Sequence, residues 1–143
     1  MIVNAILSEK GRQVFTILPT ATLAAAIKVM AEKRIGSLVV TGAGDRVIGI
    51  VSERDVVRML AAHGAAALDM ALTEAMTRKV VTCGQSDTIS DLMERMTKGK
   101  FRHVPVLEDD RLTGMISIGD VVKYRLYEME QEHSALRDYI QTA

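Results

Sequence analysis

One stretch of this chain recurs further along. Laying Ile17–Arg58 over Cys83–Lys123 sets Thr22 on Thr88, Met30 on Met96 and Val40 on Val106, each 66 residues apart. Beyond a one-residue slip between Thr41 and Asp45, Arg46 falls on Arg111, Gly49 on Gly114, Ser52 on Ser117 and Asp55 on Asp120, each 65 apart. Internal repetition in one register restricts the fold severely. The chain has to build one supersecondary unit twice, and the two copies bury their apolar faces together.

Each copy reads in the same order. A short β-branched run (Val14–Ile17; Val80–Thr82) leads through a polar turn at Pro19 or Gly84 into an amphipathic helix. Leu23, Ile27 and Met30 line one face of that helix in the first copy, and Ile89, Leu92 and Met96 do so in the second. Gly36 and Gly99 stand near the helix ends. Two apolar strands follow, Ser37–Val40 with Val47–Val51 and His103–Leu107 with Leu112–Ser117, joined by turn-forming residues. A second helix closes each copy, near Glu53–Ala62 and Gly119–Ile140. The expected fold class is α/β (α+β): two repeats, each a small mixed three-stranded sheet with flanking helices, packed as a pseudo-twofold pair. The expected boundaries are an N-terminal helical segment at 1–15, a first repeat at 16–63, a linker helix at 64–79, a second repeat at 80–126 and a C-terminal helix extension at 127–143.

Charge and composition exclude several functions. The 18 basic residues balance the 18 acidic ones, so no basic footprint for nucleic acid or for a membrane surface is present. Cys83 is the single cysteine, which rules out an internal disulfide and suits a reducing compartment. The first residues do not form a signal peptide, and no apolar run approaches the ~18 residues of a membrane span. A cytoplasmic protein is expected. With no Trp and nine Met, the core has to be aliphatic, with Met filling irregular gaps.

The chemistry-bearing motif also occurs twice, as Gly49-Ile-Val-Ser52-Glu-Arg-Asp55 and Gly114-Met-Ile-Ser117-Ile-Gly-Asp120. The Ser stands where a strand stops and a helix starts, so its hydroxyl can cap the helix. The Asp stands in the first helical turn, where its carboxylate can accept both hydroxyls of a ribose 2′,3′-diol. The Gly permits a close backbone approach. A capping box with no ligand explains the same Ser-x-x-Asp spacing; its duplication in a single fold pattern favours the ligand.

These strings resemble the Gly-x-x-Ser/Thr-x-x-Asp signature of cystathionine β-synthase-type (CBS) repeats, as does the text around them across Phe15–Arg125. Two such repeats resemble a tandem CBS pair, or Bateman module. The resemblance implies two clefts between the sheets that bind adenine nucleotides: AMP first, with ADP, ATP, NAD or S-adenosylmethionine as alternatives. It implies a regulatory module with no catalysis of its own, here a stand-alone one that signals to an unidentified partner protein. The better phosphorylated-nucleotide site is expected in a second-repeat cleft, with Arg102 as phosphate fork beside His103, Ser117 and Asp120. Ser37, Ser52 and Asp55 mark a weaker first-repeat cleft. Lys79, Arg54 and Arg78 are further phosphate candidates, each also readable as a solvated surface charge. Adenine is expected against Val81, Thr82, Val104 and Ile116, with Pro105 and Ile17 alongside. No metal-like spacing links His63, His103, His133 and Cys83.

After Asp120 the chain runs on without Pro or Gly. Val122, Leu126, Met129, His133, Leu136 and Ile140 recur at alternating spacings of 4 and 3. That coiled-coil-like stripe predicts a homodimer. Three rival readings remain. An enzyme is opposed by the lack of a paired acid and base, of a partnered nucleophile and of a Gly-x-Gly-x-x-Gly loop. A ligand-free interaction or structural module would use the Ser-x-x-Asp pairs only as caps. DNA binding is opposed by the neutral charge.

Overall fold

A computed structural model describes residues 1–142. Ala143, the last residue of the expected C-terminal extension, lies outside the described residues. Helix α1 spans Val3–Lys10, β1 Thr16–Ile17, α2 Leu23–Lys33, β2 Ser37–Thr41, β3 Val47–Ser52 and α3 Glu53–His63. Then come α4 at Leu72–Ala75, β4 at Cys83–Gly84, α5 at Ile89–Gly99, β5 at His103–Glu108, β6 at Arg111–Ser117 and α6 at Ile118–Thr142. The expected α+β architecture with two mixed three-stranded sheets is present, in the orders β1-β2-β3 and β4-β5-β6.

The repetition extends to local detail. In each sheet the first pairing is parallel and the second antiparallel. A register shift falls at Val40/Thr41 in one sheet and at Val106/Leu107 in the other. Thr22 and Thr88 cap α2 and α5, accepting from the Ala25 and Asp91 N–H groups at 3.2 and 3.1 Å. Both helices end on a left-handed residue, Arg34 or Lys100. Glycine does not take that place. Gly99 instead leaves room for the Phe101 ring, whose edge a Cβ there would strike.

Two expected elements are corrected. The first strand of the second copy is Cys83–Gly84 and not Val80–Thr82, because only the later residues reach β5, with Cys83 opposite Val106. The expected linker helix is instead a 3₁₀ turn at Gly64–Asp69 followed by the single turn α4. Between them Met70 and Ala71 are extended and bond to the first repeat: Leu23 N–H donates to the Met70 carbonyl and Leu72 N–H to the Ala21 carbonyl, both at 2.9 Å. The N-terminal residues make the matching bonds in the second repeat, from Ile89 N–H to Met1 O and from Val3 N–H to Asp87 O.

Each repeat is thus completed by the segment that precedes the other one. Val3, Ile6 and Leu7 of α1 lie in one core with Cys83, Ile89, Leu92, Val104, Val106, Ile116 and Tyr124. Leu72, Ala75 and Met76 lie in the second core with Leu23, Leu38, Val40, Val51 and Met59. This exchange assigns the motif glycines their function. A Cβ on Gly114 would meet both Leu7 methyls at 2.7 Å, and one on Gly49 would meet the Met76 sulfur at 2.6 Å. The close approach expected of these glycines is real, and the partner is a buried side chain of the crossing segment.

The stripe on α6 is uncovered. Val122, Leu126, Met129, Leu136 and Ile140 are each 49–65% exposed, whereas Val121 and Tyr124 face the core. No helix among the described residues is long and apolar enough to cross a membrane.

Candidate functional site

Each motif sits at a strand-to-helix junction, and both junctions are built alike. Glu53 N–H donates to the Gly36 carbonyl at 3.0 Å and Ile118 N–H to the Arg102 carbonyl at 2.8 Å. These bonds bring the start of the closing helix beside the entry to the middle strand, and a cleft opens at each junction.

The larger cleft has a volume of about 440 Å³ and is lined by Ser52, Glu53, Arg54 and Asp55 from the first motif, with Lys79–Val81 and Gly99–His103 across it. The smaller, of about 260 Å³, is lined by Ser117 and Met115 from the second motif strand, with Lys10, Gln13–Phe15 and Ile35–Ser37. His103 borders both. The expected grouping of Arg102 with Ser117 and Asp120 is therefore not what the fold produces. Arg102 faces the first motif, because each cleft combines the motif of one repeat with the middle-strand entry of the other.

The adenine candidates separate by strand alternation. Val81 lines the larger cleft. Val104 and Ile116, opposite each other in register, are wholly buried in the second core, and Pro105 is buried beside them. Thr82 and Ile17 are half-buried and line neither cleft, Ile17 packing on the first core. Arg78 turns away, donating to the Thr73 carbonyl at 3.0 Å.

The two carboxylates differ in what holds them. Ser52 and Asp55 form a full capping box: Ser52 N–H and Oγ donate to Asp55 Oδ2 at 2.9 and 3.1 Å, and Asp55 N–H returns to Ser52 Oγ at 3.4 Å. Its Oδ1 accepts from Arg58 at 3.2 Å and from Thr77 Oγ1 at 3.1 Å, so both oxygens of this buried group are engaged. At the second motif Ser117 N–H and Oγ donate to Asp120 Oδ2 at 2.9 and 3.0 Å, and Lys10 Nζ donates to the same oxygen at 2.6 Å. No protein group among the described residues is bonded to Oδ1. Burial pushes the Asp120 carboxyl up, but the Lys10 and Ser117 bonds outweigh it and hold the group below the usual carboxylate range.

The cations divide unequally. Arg54, Lys79, Lys100 and Arg102 line the larger cleft. Among the described residues Lys79, Lys100 and Arg102 enter no ion pair. The smaller cleft has only Lys10, already bound to Asp120. Burial lowers the His103 pKa, with Glu53 opposing and Arg102 assisting, so near neutrality this ring is an uncharged donor or acceptor. Burial pushes the Cys83 thiol up to about 12, which makes it an inert core group. No cluster of metal-ligating side chains exists among the described residues.

Sequence reasoning missed Lys10, Lys100 and Phe101. A signal for Lys10 was present: Val3, Leu7 and Lys10 stand 69 residues before Leu72, Met76 and Lys79, so the repeat continues upstream of β1 once Gly11–Gln13 is treated as an insertion.

Two β-α-β-β-α units, each completed by the other's leading segment and enclosing paired clefts, define a tandem-repeat module. The CBS domain pattern matches residues 8–62 and 72–127, and the chain belongs to the CBS domain family as a CBS pair. It is 34% identical over 120 residues to a mitochondrial CBS domain-containing protein of Arabidopsis thaliana, covering 81% of this chain and 58% of that one. The chain spans 32–66% of the lengths of the first curated relatives it matches. A CBS-domain protein crystal structure from Agrobacterium tumefaciens superposes with a TM-score of 0.84 at 47% identity, covering 87% of this chain and 99% of that one. A CBS domain pair solved with 5′-methylthioadenosine and S-adenosyl-L-methionine superposes with a TM-score of 0.77 at 23% identity, covering 91% and 98%; this likeness shows the fold alone.

Proposed function

We propose that the chain is a regulatory module that binds an adenine nucleotide in the larger cleft and catalyses no reaction. One observation carries the reading: Lys79, Lys100 and Arg102, which enter no ion pair among the described residues, converge on a cavity that also contains a helix N-terminus at Ser52–Asp55. Cations with no carboxylate partner are what a phosphate requires. Phe101, Val80, Val81 and Ile50 supply apolar surface for the base. Adenine is the base to test first, a CBS pair of the same fold having been solved with 5′-methylthioadenosine and S-adenosyl-L-methionine. AMP is the first ligand to test, then ADP, ATP and NAD.

In this reading phosphate anchors the ligand. Asp55 bonds a ribose only by exchanging Arg58 or Thr77 for the sugar hydroxyls. Two copies pair through the α6 stripe, and occupancy is relayed to a separate target protein; the lone reduced thiol suits a reducing compartment such as the cytoplasm. A second reading has a specific observation in its favour, since the complete Ser52–Asp55 box suits a ligand-free module whose motifs only cap helices.

A thermal-shift titration with AMP, ADP, ATP, NAD and S-adenosylmethionine, against GMP and on Arg102→Ala, separates the two. Saturation at about 100 times Kd stabilises by about 2.7 kcal/mol, a rise of several degrees. Adenine-specific shifts lost in Arg102→Ala support the sensor. No shift with any of these ligands, in protein freed of co-purified nucleotide, supports the ligand-free module.

A further inference from the structure

We propose that Lys10 is the specificity-determining residue of the smaller cleft, where its ammonium occupies the acceptors that a ribose diol needs and so excludes an unphosphorylated nucleoside. The proposal rests on the reading of this family of clefts as nucleotide sites. Lys10 Nζ reaches Asp120 Oδ2 at 2.6 Å and the Met115 carbonyl at 2.9 Å, and Ser117 fills the rest of Oδ2. Three donors crowd Oδ2 and only Oδ1 stays open, whereas a diol bound side-on needs both carboxylate oxygens; without Lys10 the Ser117 hydroxyl can turn and share Oδ2 with a sugar hydroxyl.

The internal repeat supplies the comparison. Lys79 is the counterpart of Lys10 in the second register, lines the larger cleft, and makes no ion pair among the described residues. The difference has a local cause. In the N-terminal segment the helix runs on to Lys10 and stops at Gly11, whose φ of 103° suits glycine. In the linker α4 stops at Ala75, so Lys79 stands on irregular chain. A helix packed by Val3, Ile6 and Leu7 holds Lys10 over Asp120. The motif aspartates also draw their cations from different places. Arg58 belongs to the same helix as Asp55, whereas Lys10 comes from a separate element and can leave without disturbing the cap.

The ligand class follows from charge. Without Lys10 the smaller cleft keeps two serine hydroxyls and an uncharged histidine in its wall, with the Asp120 carboxylate directly behind Lys10 and Ser117 and no cation for phosphate. It then suits adenosine better than AMP.

The test is calorimetric titration of adenosine into the wild-type chain, Lys10→Met and Lys10→Met/Asp120→Asn. The expected result is adenosine affinity at least 10-fold higher in Lys10→Met and lost again in the double variant. Unchanged affinity in Lys10→Met, or a gain that survives Asp120→Asn, overturns the proposal. Lys10→Gln, which keeps a polar end on α1, serves the same test if the methionine variant does not fold. AMP titrated into wild type and Arg102→Ala reports the larger cleft separately, so failure of that reading is distinguished from failure of this one.

Discussion

The two clefts are assembled from equivalent parts and end with opposite chemistry. The larger has spare cations and a carboxylate engaged on both oxygens. The smaller has one cation, already used, and a carboxylate with an open oxygen. The sheets and the strand-to-helix junctions do not cause the difference, since sheet order, bulge position, helix caps and the junction hydrogen bonds all repeat. It comes from a few side chains at matched positions: Gly36 against Arg102, Arg58 against Lys123, and a lysine that is docked in one half and free in the other. The two clefts share sheets and junctions and differ in the side chains and leading segments placed on them.

The same comparison ranks the expected effects of mutation. The crossing segments come first. Leu7→Ala should destabilise by about 2–5 kcal/mol in denaturant melts, because Leu7 is 1% exposed and packs on Gly114. Met76→Ala should cost less, since Met76 is 7% exposed and its flexible thioether leaves neighbours able to close in; a larger loss at Met76 would break the equivalence of the segments. Next come the glycines. Gly114→Ala drives a methyl into both branches of Leu7 and should cost about 1–3 kcal/mol, more than Gly49→Ala, where the Met76 side chain can turn aside. The caps follow: Ser52→Ala and Ser117→Ala should each lose about 1 kcal/mol, equal within error if both are caps first.

The smallest effect is electrostatic. The folded pKa of Asp120 lies below its unfolded value, so its stabilising contribution is complete above the ordinary carboxylate pKa near ~3.9 and is lost as pH falls through the lower folded value. Lys10→Met leaves the burial and removes the strongest opposing bond. The Asp120 pKa, followed by carboxyl NMR against the nearby His103 and Tyr124 titrations, should rise, and acid unfolding should begin at higher pH. An unmoved Asp120 pKa would show that Ser117 alone holds the group.

Much of this was legible in the chain. The duplicated pattern specified two α+β units, the Ser caps and the two paired strands of each long hairpin, because those depend on local spacing. The site was only half legible. Ser52, Asp55, Arg54, Lys79, Val81, Arg102 and His103 do converge, but the resemblance, read along the chain, assigned Arg102 to its own repeat's motif. Which motif it faces depends on how the repeats pack, and that is set by long-range contacts from α1 and α4. Val104 and Ile116 were misplaced for a simpler reason: a strand that presents His103 to a cleft turns the next side chain into the core. The linker was read as a helix from its Ala-, Leu- and Met-rich composition, and there the backbone bonds of Met70 and Leu72 to the first repeat override propensity.

The most direct test of the central claim is a crystal structure of the chain grown with AMP. The account predicts phosphate density in the larger cleft, within hydrogen-bonding distance of Arg102 and Lys79, with the smaller cleft still closed by the Lys10–Asp120 pair. Phosphate density beside Ser117 and Lys10, with the larger cleft empty, would contradict it.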